Sequence, residues 1–229
     1  MLDTSLYSSY GASIKFYESG ECVFAEGTAC THYHELVSGK VRWTNIHEDG
    51  REFIHNIILP GESFGELPLF DNQPYAASAI ADMQCEIVRL PKFQFLKCLS
   101  ENHDVHLKFT RLFASRLRFK FQISKEMAQF DPEHRICSLL SYLRENTANV
   151  CQQCLVVKLT RQEIANMTGL RVETVIRTLK LMATDNKVFI SKGKVYLNNP
   201  NGATTQTCIL KRETLNQISF DSGKSCFKI

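Results

Sequence analysis

The sequence predicts an α+β chain in three parts: a β-rich barrel or jelly roll, one long helix, and a winged helix-turn-helix. Three observations carry this. Short runs of strand composition recur between turn signals up to about residue 100; the apolar period becomes helical from about His103; and LTRQEIANMTGLRVETVIRTLKLM, residues 159–182, has the grammar of two short helices around a tight turn. At 229 residues the chain accommodates one large domain or two modest ones. Its 44% hydrophobic and 22% charged residues are those of a globular protein, which sets aside overall disorder. A net charge of only +3 means that any surface for nucleic acid is local. The N-terminus has no basic region followed by an apolar run, so no signal peptide is expected, and no stretch approaches the length of a membrane span. Without export, the odd count of nine cysteines reads as free thiols in a reducing cytoplasm.

The strand runs are CVFAEG, YHELVSGKVRWTNI, EFIHNIIL and AASAIADMQCEIVRL. Glu18-Ser19-Gly20, Ser38-Gly39-Lys40, Pro60-Gly61 and Asp71-Asn72-Gln73-Pro74 punctuate them, and Asp49-Gly50 is a strong hairpin cue. Between Leu59 and Phe70 the pattern breaks into LPGESFGELPLF, too rich in glycine and proline for a regular strand. A Gly-Glu-Leu turn there would present backbone N–H groups and a carboxylate to the barrel interior, a place for an anion or a ribose; a plain connecting loop is the alternative.

Along the long helix, His106, Phe109, Phe113, Leu117, Phe121, Ser124 and Ala128 form one stripe, and Leu107, Leu112, Phe119 and Ile123 a second. Two apolar strips imply two packing partners, here the barrel and the same helix of a second copy, hence a homodimer. Asp131-Pro132-Glu133 opens the next helix with an N-cap, a proline at N1 and an acid in the first turn, and marks the domain boundary. That helix should bury Ile136, Leu139, Leu140 and Leu143, and the short strand CLVVKL should lead from it into the helix-turn-helix.

In the helix-turn-helix, Thr160 and Glu163 fit a capping box and Gly169 the left-handed residue that ends the first helix. Val175, Leu179 and Met182 give the second helix a buried face. Arg171, Val172, Glu173, Ile176, Arg177 and Lys180 occupy the opposite face, with Thr160 and Arg161 at the start of the first helix. Arginine forks onto guanine, a carboxylate accepts from cytosine N4, and an apolar side chain touches a thymine methyl, so that face suits a major groove. KVFISKGKVYLN reads as a two-stranded wing whose Lys192 and Lys194 suit phosphates. The tail from Asn201 is polar, with a short helix expected near Glu213–Ile218 and no assigned role.

Over residues ~15 to ~198, these parts together resemble the Crp/Fnr family of bacterial transcription regulators. The resemblance implies a jelly roll of the cyclic-nucleotide-binding type (residues 1–102), a dimerisation helix (103–130), a winged helix-turn-helix (131–200) and a tail (201–229). It also implies a cytoplasmic homodimer on double-stranded DNA with half-sites about 34 Å apart, working with RNA polymerase. GESFGELPLF resembles the family's phosphate-binding cassette, which implies an effector pocket of Gly65, Glu66, Leu67, Ala76, Ala77, Lys120 and Phe121. Glu173 and Arg177 match the family's base-reading pair, and Gly-Leu-x-Val-Glu-Thr around Val172 is closer to the fumarate-nitrate reduction branch than to the cyclic AMP receptor. A TTG-type half-site follows, with Val172 on a thymine methyl, Arg177 on guanine and Glu173 on a cytosine. Ile176 departs from that branch, where a serine stands.

The cassette departs further. Cyclic AMP binders carry Arg-Ser where this chain has Ala76-Ala77, and their adenine-contacting polar pair is replaced by Lys120 and Phe121. Burying a phosphate without a cation is costly, so the expected effector is a small molecule other than cyclic AMP. Cys22 and Cys30 lack the spacing of an iron–sulfur site, and Cys30, His32 and His34 read as polar residues on a solvated strand face rather than metal or haem ligands. The cofactor therefore stays unknown. Cys151-x-x-Cys154 has the spacing of a redox or metal pair, giving a thiol- or metal-responsive regulator as the alternative. No nucleophile or acid–base constellation suggests an enzyme.

Overall fold

The computed structural model describes residues 8–128, 131–147 and 149–197. Eight strands build the N-terminal unit: β1 (Ser13–Tyr17), β2 (Cys22–Phe24), β3 (His32–Ser38), β4 (Val41–Ile46), β5 (Glu52–Ile58), β6 (Ser63–Phe64), β7 (Ser78–Ala81) and β8 (Cys85–Pro91). They pair antiparallel in two four-stranded sheets, ordered β1-β8-β3-β6 and β2-β7-β4-β5. Between the sheets lie Tyr17, Phe24, Leu36, Val41, Ile58, Phe64, Tyr75 and Ile87. Alternating inward residues on short antiparallel strands make such a closed sandwich. The Asp49-Gly50 hairpin forms, with the Gly50 amide donating to the His47 carbonyl at 2.9 Å.

Four elements here carry no cue in the sequence reading above: strand β1, the two-residue strand β6 inside the glycine- and proline-rich segment, and helices α1 (Leu67–Asp71) and α2 (Lys92–Glu101). Helix α1 lies inside the segment read as a turn or connecting loop, and α2 follows the last strand run, in the part of the β-rich region with no element assigned. Helix α2 buries Phe95, Cys98 and Leu99. With Tyr33, Leu90, Val105 and Phe109 these residues form a second core outside the sandwich.

Helix α3 (His103–Ala128) packs on the barrel through Val105 and Phe109 and on the C-terminal unit through Phe119 and Ile123. The stripe expected from His106 to Ala128 splits. Its first part, Phe109 and Phe113, turns to the barrel, whereas Leu117 and Phe121 are 57% and 69% exposed. Phe109, Phe113, Leu117 and Phe121 follow one another in steps of four, and against the 3.6-residue period that run rotates its later members off the barrel.

Helix α4 (Pro132–Asn146) starts as expected, the Asp131 side chain accepting from the Glu133 amide at 2.9 Å. It buries Ile136, Leu139, Leu140 and Leu143. Strand β9 (Val156–Val157), helices α5 (Arg161–Thr168) and α6 (Val172–Thr184), and the wing strands β10 (Phe189–Ser191) and β11 (Lys194–Tyr196) complete the C-terminal unit, with sheet order β10-β11-β9. This unit is docked on the barrel. Ile54 and Ile57 of β5 join its core, the Asn149 amide donates to the Ile57 carbonyl at 2.9 Å, Lys40 pairs with Glu163, and Asn166 donates to Glu52 at 3.1 Å. The junction at Phe130 and the tail from residue 201, with its expected helix, lie outside the described residues.

Candidate nucleic-acid interface and effector pocket

The interface is built by local rules. Thr160 Oγ1 accepts from the Glu163 amide at 3.1 Å, and Glu163 Oε2 accepts from the Thr160 amide at 2.7 Å, which closes the capping box. Gly169, at φ 66° and ψ 22°, takes the left-handed turn that ends α5, a conformation side-chain-bearing residues enter only at a cost. Helix α6 then buries Val175, Leu179 and Met182 completely, and Thr178 nearly so. Glu173, Ile176, Arg177, Lys180, Leu181 and Thr184 line one shallow open surface on its far side. Glu173 and Arg177 stand one turn apart and Arg171 occupies the helix N-cap, so a carboxylate and two arginines sit near the N-terminal end of α6. Val172 is half-buried and packs against the core of the unit.

Lys192 and Gly193 turn the wing in the left-handed region, at φ 47° and 75°. Lys192 and Lys194 are exposed there. Arg161 donates to the Gly193 carbonyl at 3.2 Å, so this arginine ties the start of α5 to the wing tip. Leu181 on the open surface was not singled out by the sequence; its position in the i, i+4 row with Arg177 is the signal that would have found it.

In the cassette, Gly65 sits at φ 70°, and a Cβ there would meet the Phe24 ring at 2.5 Å and the Tyr75 ring at 3.1 Å. Phe24 and Tyr75 stack at 3.8 Å between centroids. Glu66 is fully buried, and its partner is Arg116 of α3, whose Nη1 donates to Oε2 at 2.7 Å while Nη2 donates to the Ser63 carbonyl at 2.7 Å. Burial is the largest single influence on Arg116 and lowers its pKa, but the charge and hydrogen bond of Glu66, with Tyr142 and Glu62, together outweigh it and raise the pKa above its ordinary value. Lys120, its pKa lowered by burial, reaches His55 Nδ1 at 3.0 Å. His55 is in turn bonded to Asn45, and Asn45 Nδ2 donates to the Ala76 carbonyl at 2.9 Å. A polar chain thus links the long helix to the cassette.

The seven expected pocket residues are not brought together. Glu66, Ala77 and Lys120 turn inward. Leu67 opens instead onto a surface groove shared with Phe70, His106, Thr110 and Phe113. Phe121, next to Lys120 on the helix, lies about 100° round from it and faces away from the barrel within one chain. Arg116, His55 and Asn45 were missed; the helical step of four from Arg116 to Lys120 was the available signal.

The face carrying Cys30, His32 and His34 is not solvated as expected. His34 is buried between Phe24 and Phe64, at ring distances of 5.4 and 5.6 Å, and burial, with Arg89 second, lowers its pKa to about 3. Cys30 accepts from the Tyr75 hydroxyl at 3.0 Å and Arg89 meets His32 at 3.1 Å, so the three residues serve different neighbours. Among the described residues no group of His, Cys, Asp and Glu is arranged to hold a metal ion, and no helix is long and apolar enough to cross a membrane.

Residues 14–102 match the cyclic nucleotide-binding domain family, and residues 134–202 match the Crp-like helix-turn-helix domain family. The cAMP-activated global transcriptional regulator CRP of Pasteurella multocida is 29% identical over 180 residues, covering 78% of this chain and 86% of that protein. The cyclic AMP receptor protein of Thermus thermophilus is 28% identical over 183 residues, covering 79% and 82%. Among solved structures, the Thermus thermophilus catabolite activator protein covers 85% of this chain and 90% of its own, with 27% identity and a TM-score of 0.50. FixK2 from Bradyrhizobium japonicum, at 22% identity and TM-score 0.65 with 83% and 94% coverage, shares the fold. With a nucleotide-binding-type sandwich and a Crp-like helix-turn-helix in one chain, and relatives that are transcription regulators rather than enzymes, this protein belongs to the Crp/Fnr family of DNA-binding transcription regulators.

Proposed function

We propose that the chain is an effector-responsive regulator that binds a two-fold TTG-type operator as a homodimer in the cytoplasm and acts on RNA polymerase. In this reading residues 1–102 sense, 103–130 dimerise and 131–200 bind DNA. The observation that carries it is the open face of α6, where Glu173 and Arg177 stand one turn apart and exposed, with none of the described residues packed over them, and exposed wing lysines lie in the same unit. Arg177 forks onto a guanine, Glu173 accepts from a cytosine N4, and Arg171, Ile176 and Lys180 flank them. Val172, half in the core, has only part of its side chain left for a thymine methyl. Thr160, Arg161, Lys192 and Lys194 hold phosphates.

The effector in this reading is not cyclic AMP. Ala76 and Ala77 offer no cation, Glu66 is engaged by Arg116, and Lys120 is engaged by His55. The reported effectors of the relatives therefore do not transfer.

The test is selection from a randomised duplex library by reduced, ligand-free protein at stated salt, with Arg177→Ala alongside. Recovery of inverted TTG-type half-sites, with preference for the guanine lost in Arg177→Ala, is the expected outcome. Unchanged base preference in that variant would overturn the assignment.

One observation favours a second reading for the sensor. The Cys151 thiol has its pKa lowered by hydrogen bonds from the Cys154 backbone and side chain and the Gln153 backbone, in a turn leading directly into β9. A lowered pKa raises the thiolate fraction, and the thiolate is the form that reacts with oxidants. Loss of oxidant-dependent DNA binding in Cys151→Ser would support a thiol switch, and its retention would remove this pair.

A further inference from the structure

One end of the sandwich gathers basic side chains that neither the cassette nor the DNA-facing surface uses. Strands β1, β8 and β3 are neighbours in one sheet, and their register sets Ser13, Arg89 and His34 in a single row across it. The row lies on the inner face, because Tyr17, Ile87 and Leu36, at even steps along the same strands, belong to the core between the sheets. Lys15 on β1 and His32 on β3 share that face. None of the seven pocket residues expected from the sequence belongs to this group.

Burial grades along the row. His34 is 4% exposed, Arg89 is half-buried, and Ser13 and Lys15 on the edge strand are exposed. The rings of Phe24 and Phe64 flank His34, so the way in is from the β1 edge. Two buried nitrogens of the row, His34 Nδ1 and Arg89 Nε, find no partner among the described residues. Arg89 gives one Nη to His32 Nδ1 at 3.1 Å and makes no ion pair among the described residues. Glu66, whose charge is felt at Tyr75, is committed to Arg116. Burial comes first in lowering the His34 pKa, and every charge that adds to it is a cation: Arg89, His32 and Lys15. Buried polar groups are normally bonded and buried charges paired. A guanidinium without an acid, beside an orphan imidazole nitrogen, therefore marks a place for an anion.

We propose that this end of the sandwich binds a small doubly charged oxyanion, as free phosphate or as the phosphate group of a compact molecule, held by Arg89, His34 and Lys15. Arg89 Nε–H donates to it, as does the His34 ring with its hydrogen on Nδ1. The Ser13 hydroxyl donates from the edge, and Lys15 adds a second permanent charge. The anion thereby ties the edge strand β1 to β8 and β3 behind it. The binding step stands independently of the operator reading above.

The test titrates inorganic phosphate into the full-length reduced protein at mildly alkaline pH, where phosphate is doubly charged. Sodium chloride holds the ionic strength constant, and binding is read by calorimetry and by NMR of isotope-labelled arginine side chains. Saturation at one phosphate per chain is expected. The Arg89 Nε–H resonance, assigned by its loss in Arg89→Met, should move along the same curve. Arg89→Met removes a charge-assisted donor and should weaken binding about tenfold or more. His34→Phe keeps a ring between Phe24 and Phe64 and should also weaken it, which serves if Arg89→Met does not fold. Lys15→Met, at an exposed position, should cost at most about fivefold. Arg51→Met, on the hairpin of the other sheet, should change nothing. Ethyl phosphate separates the two sources: affinity equal to that of inorganic phosphate assigns the group of a larger molecule, and its failure to bind assigns the free ion. Absence of saturable binding, an unmoved Arg89 resonance, or full binding in both Arg89→Met and His34→Phe would overturn the proposal.

Discussion

Arg116 on the long helix and Glu66 in the cassette form an ion pair at 2.7 Å that is closed to solvent on the carboxylate side. The pair occupies the turn where the sequence suggested a place for an anion or a ribose. A buried pair adds little over apolar packing, yet removing one partner strands the other, at a cost of about 3–5 kcal/mol. Glu66→Ala should therefore lose stability of that order in urea unfolding, and Arg116→Met combined with Glu66→Leu should regain most of it. A Glu66→Ala variant within about 1 kcal/mol of wild type would show that the pair is not closed in solution.

His34 predicts an acid-labile barrel. The unfolded chain protonates this histidine near its ordinary value of about 6.5, whereas the folded one holds off to about 3, chiefly through burial. Between those values unfolding takes up a proton, so stability is complete above the unfolded pKa and declines as pH falls, by up to about 1.4 kcal/mol per pH unit. His55, lowered to about 4 by burial and then by Lys120, adds to the same slope. His34→Phe, which suits the ring cluster of Phe24 and Phe64, should flatten the dependence of stability on pH by close to one proton across the acid range. An unchanged slope would mean that His34 is solvated.

Local chemistry was legible in the sequence. The capping box at Thr160 and Glu163, the left-handed Gly169 and the Asp131 cap each depend on residues a few positions apart, and each forms. Relations set by tertiary packing were not. Arg116 and Glu66 are 50 positions apart, and in the sequence Arg116 is one of several charges flanking an apolar stripe. His34 looked like one polar residue in an alternating strand, because nothing local says that both faces of β3 are covered. The split of Lys120 from Phe121 follows from a helical phase that only the docked barrel fixes. Helix α2 escaped because ten residues with a modest apolar face do not stand out from neighbouring strands.

Glu163 has two jobs that substitutions can separate. It accepts the Thr160 amide within the capping box, and it pairs with Lys40 across to the barrel. Glu163→Gln keeps an acceptor for the cap and removes the charge; Glu163→Ala removes both. Loss of a cap typically costs about 1 kcal/mol. Glu163→Ala should therefore lower stability by about that amount beyond Glu163→Gln. Glu163→Gln and Lys40→Met should each speed proteolysis or hydrogen exchange at the β5–α5 contact, and together do little more than either alone. Additive effects would mean that the two side chains act separately.

The wing and the reading helix should fail differently. Lys194 stands exposed on the wing rather than on the reading helix, so Lys194→Ala should weaken binding to specific and random duplexes alike and reduce the salt slope by about 1. Arg177→Ala should lose about 1–3 kcal/mol on the selected site and relax preference at one base pair. Fluorescence anisotropy over a salt series separates the two, and a Lys194→Ala loss confined to the specific site would contradict the phosphate role.

Leu117 and Phe121 stand exposed one turn apart on α3, on the side away from the barrel and the C-terminal unit. In the proposed homodimer, large apolar side chains at this spacing would form a seam for a second copy of the same helix, by knobs-into-holes packing. A carboxylate at either position would face its symmetry mate across the two-fold axis, where two like charges would be desolvated together. Phe121→Glu should therefore shift the protein toward monomer in sedimentation equilibrium while leaving the barrel's unfolding transition in place, because Phe121 contributes little to the core of its own chain. Binding to a two-fold site should collapse toward half-site affinity in the same variant. A Phe121→Glu protein that remains dimeric at low micromolar concentration would place the dimer contact elsewhere.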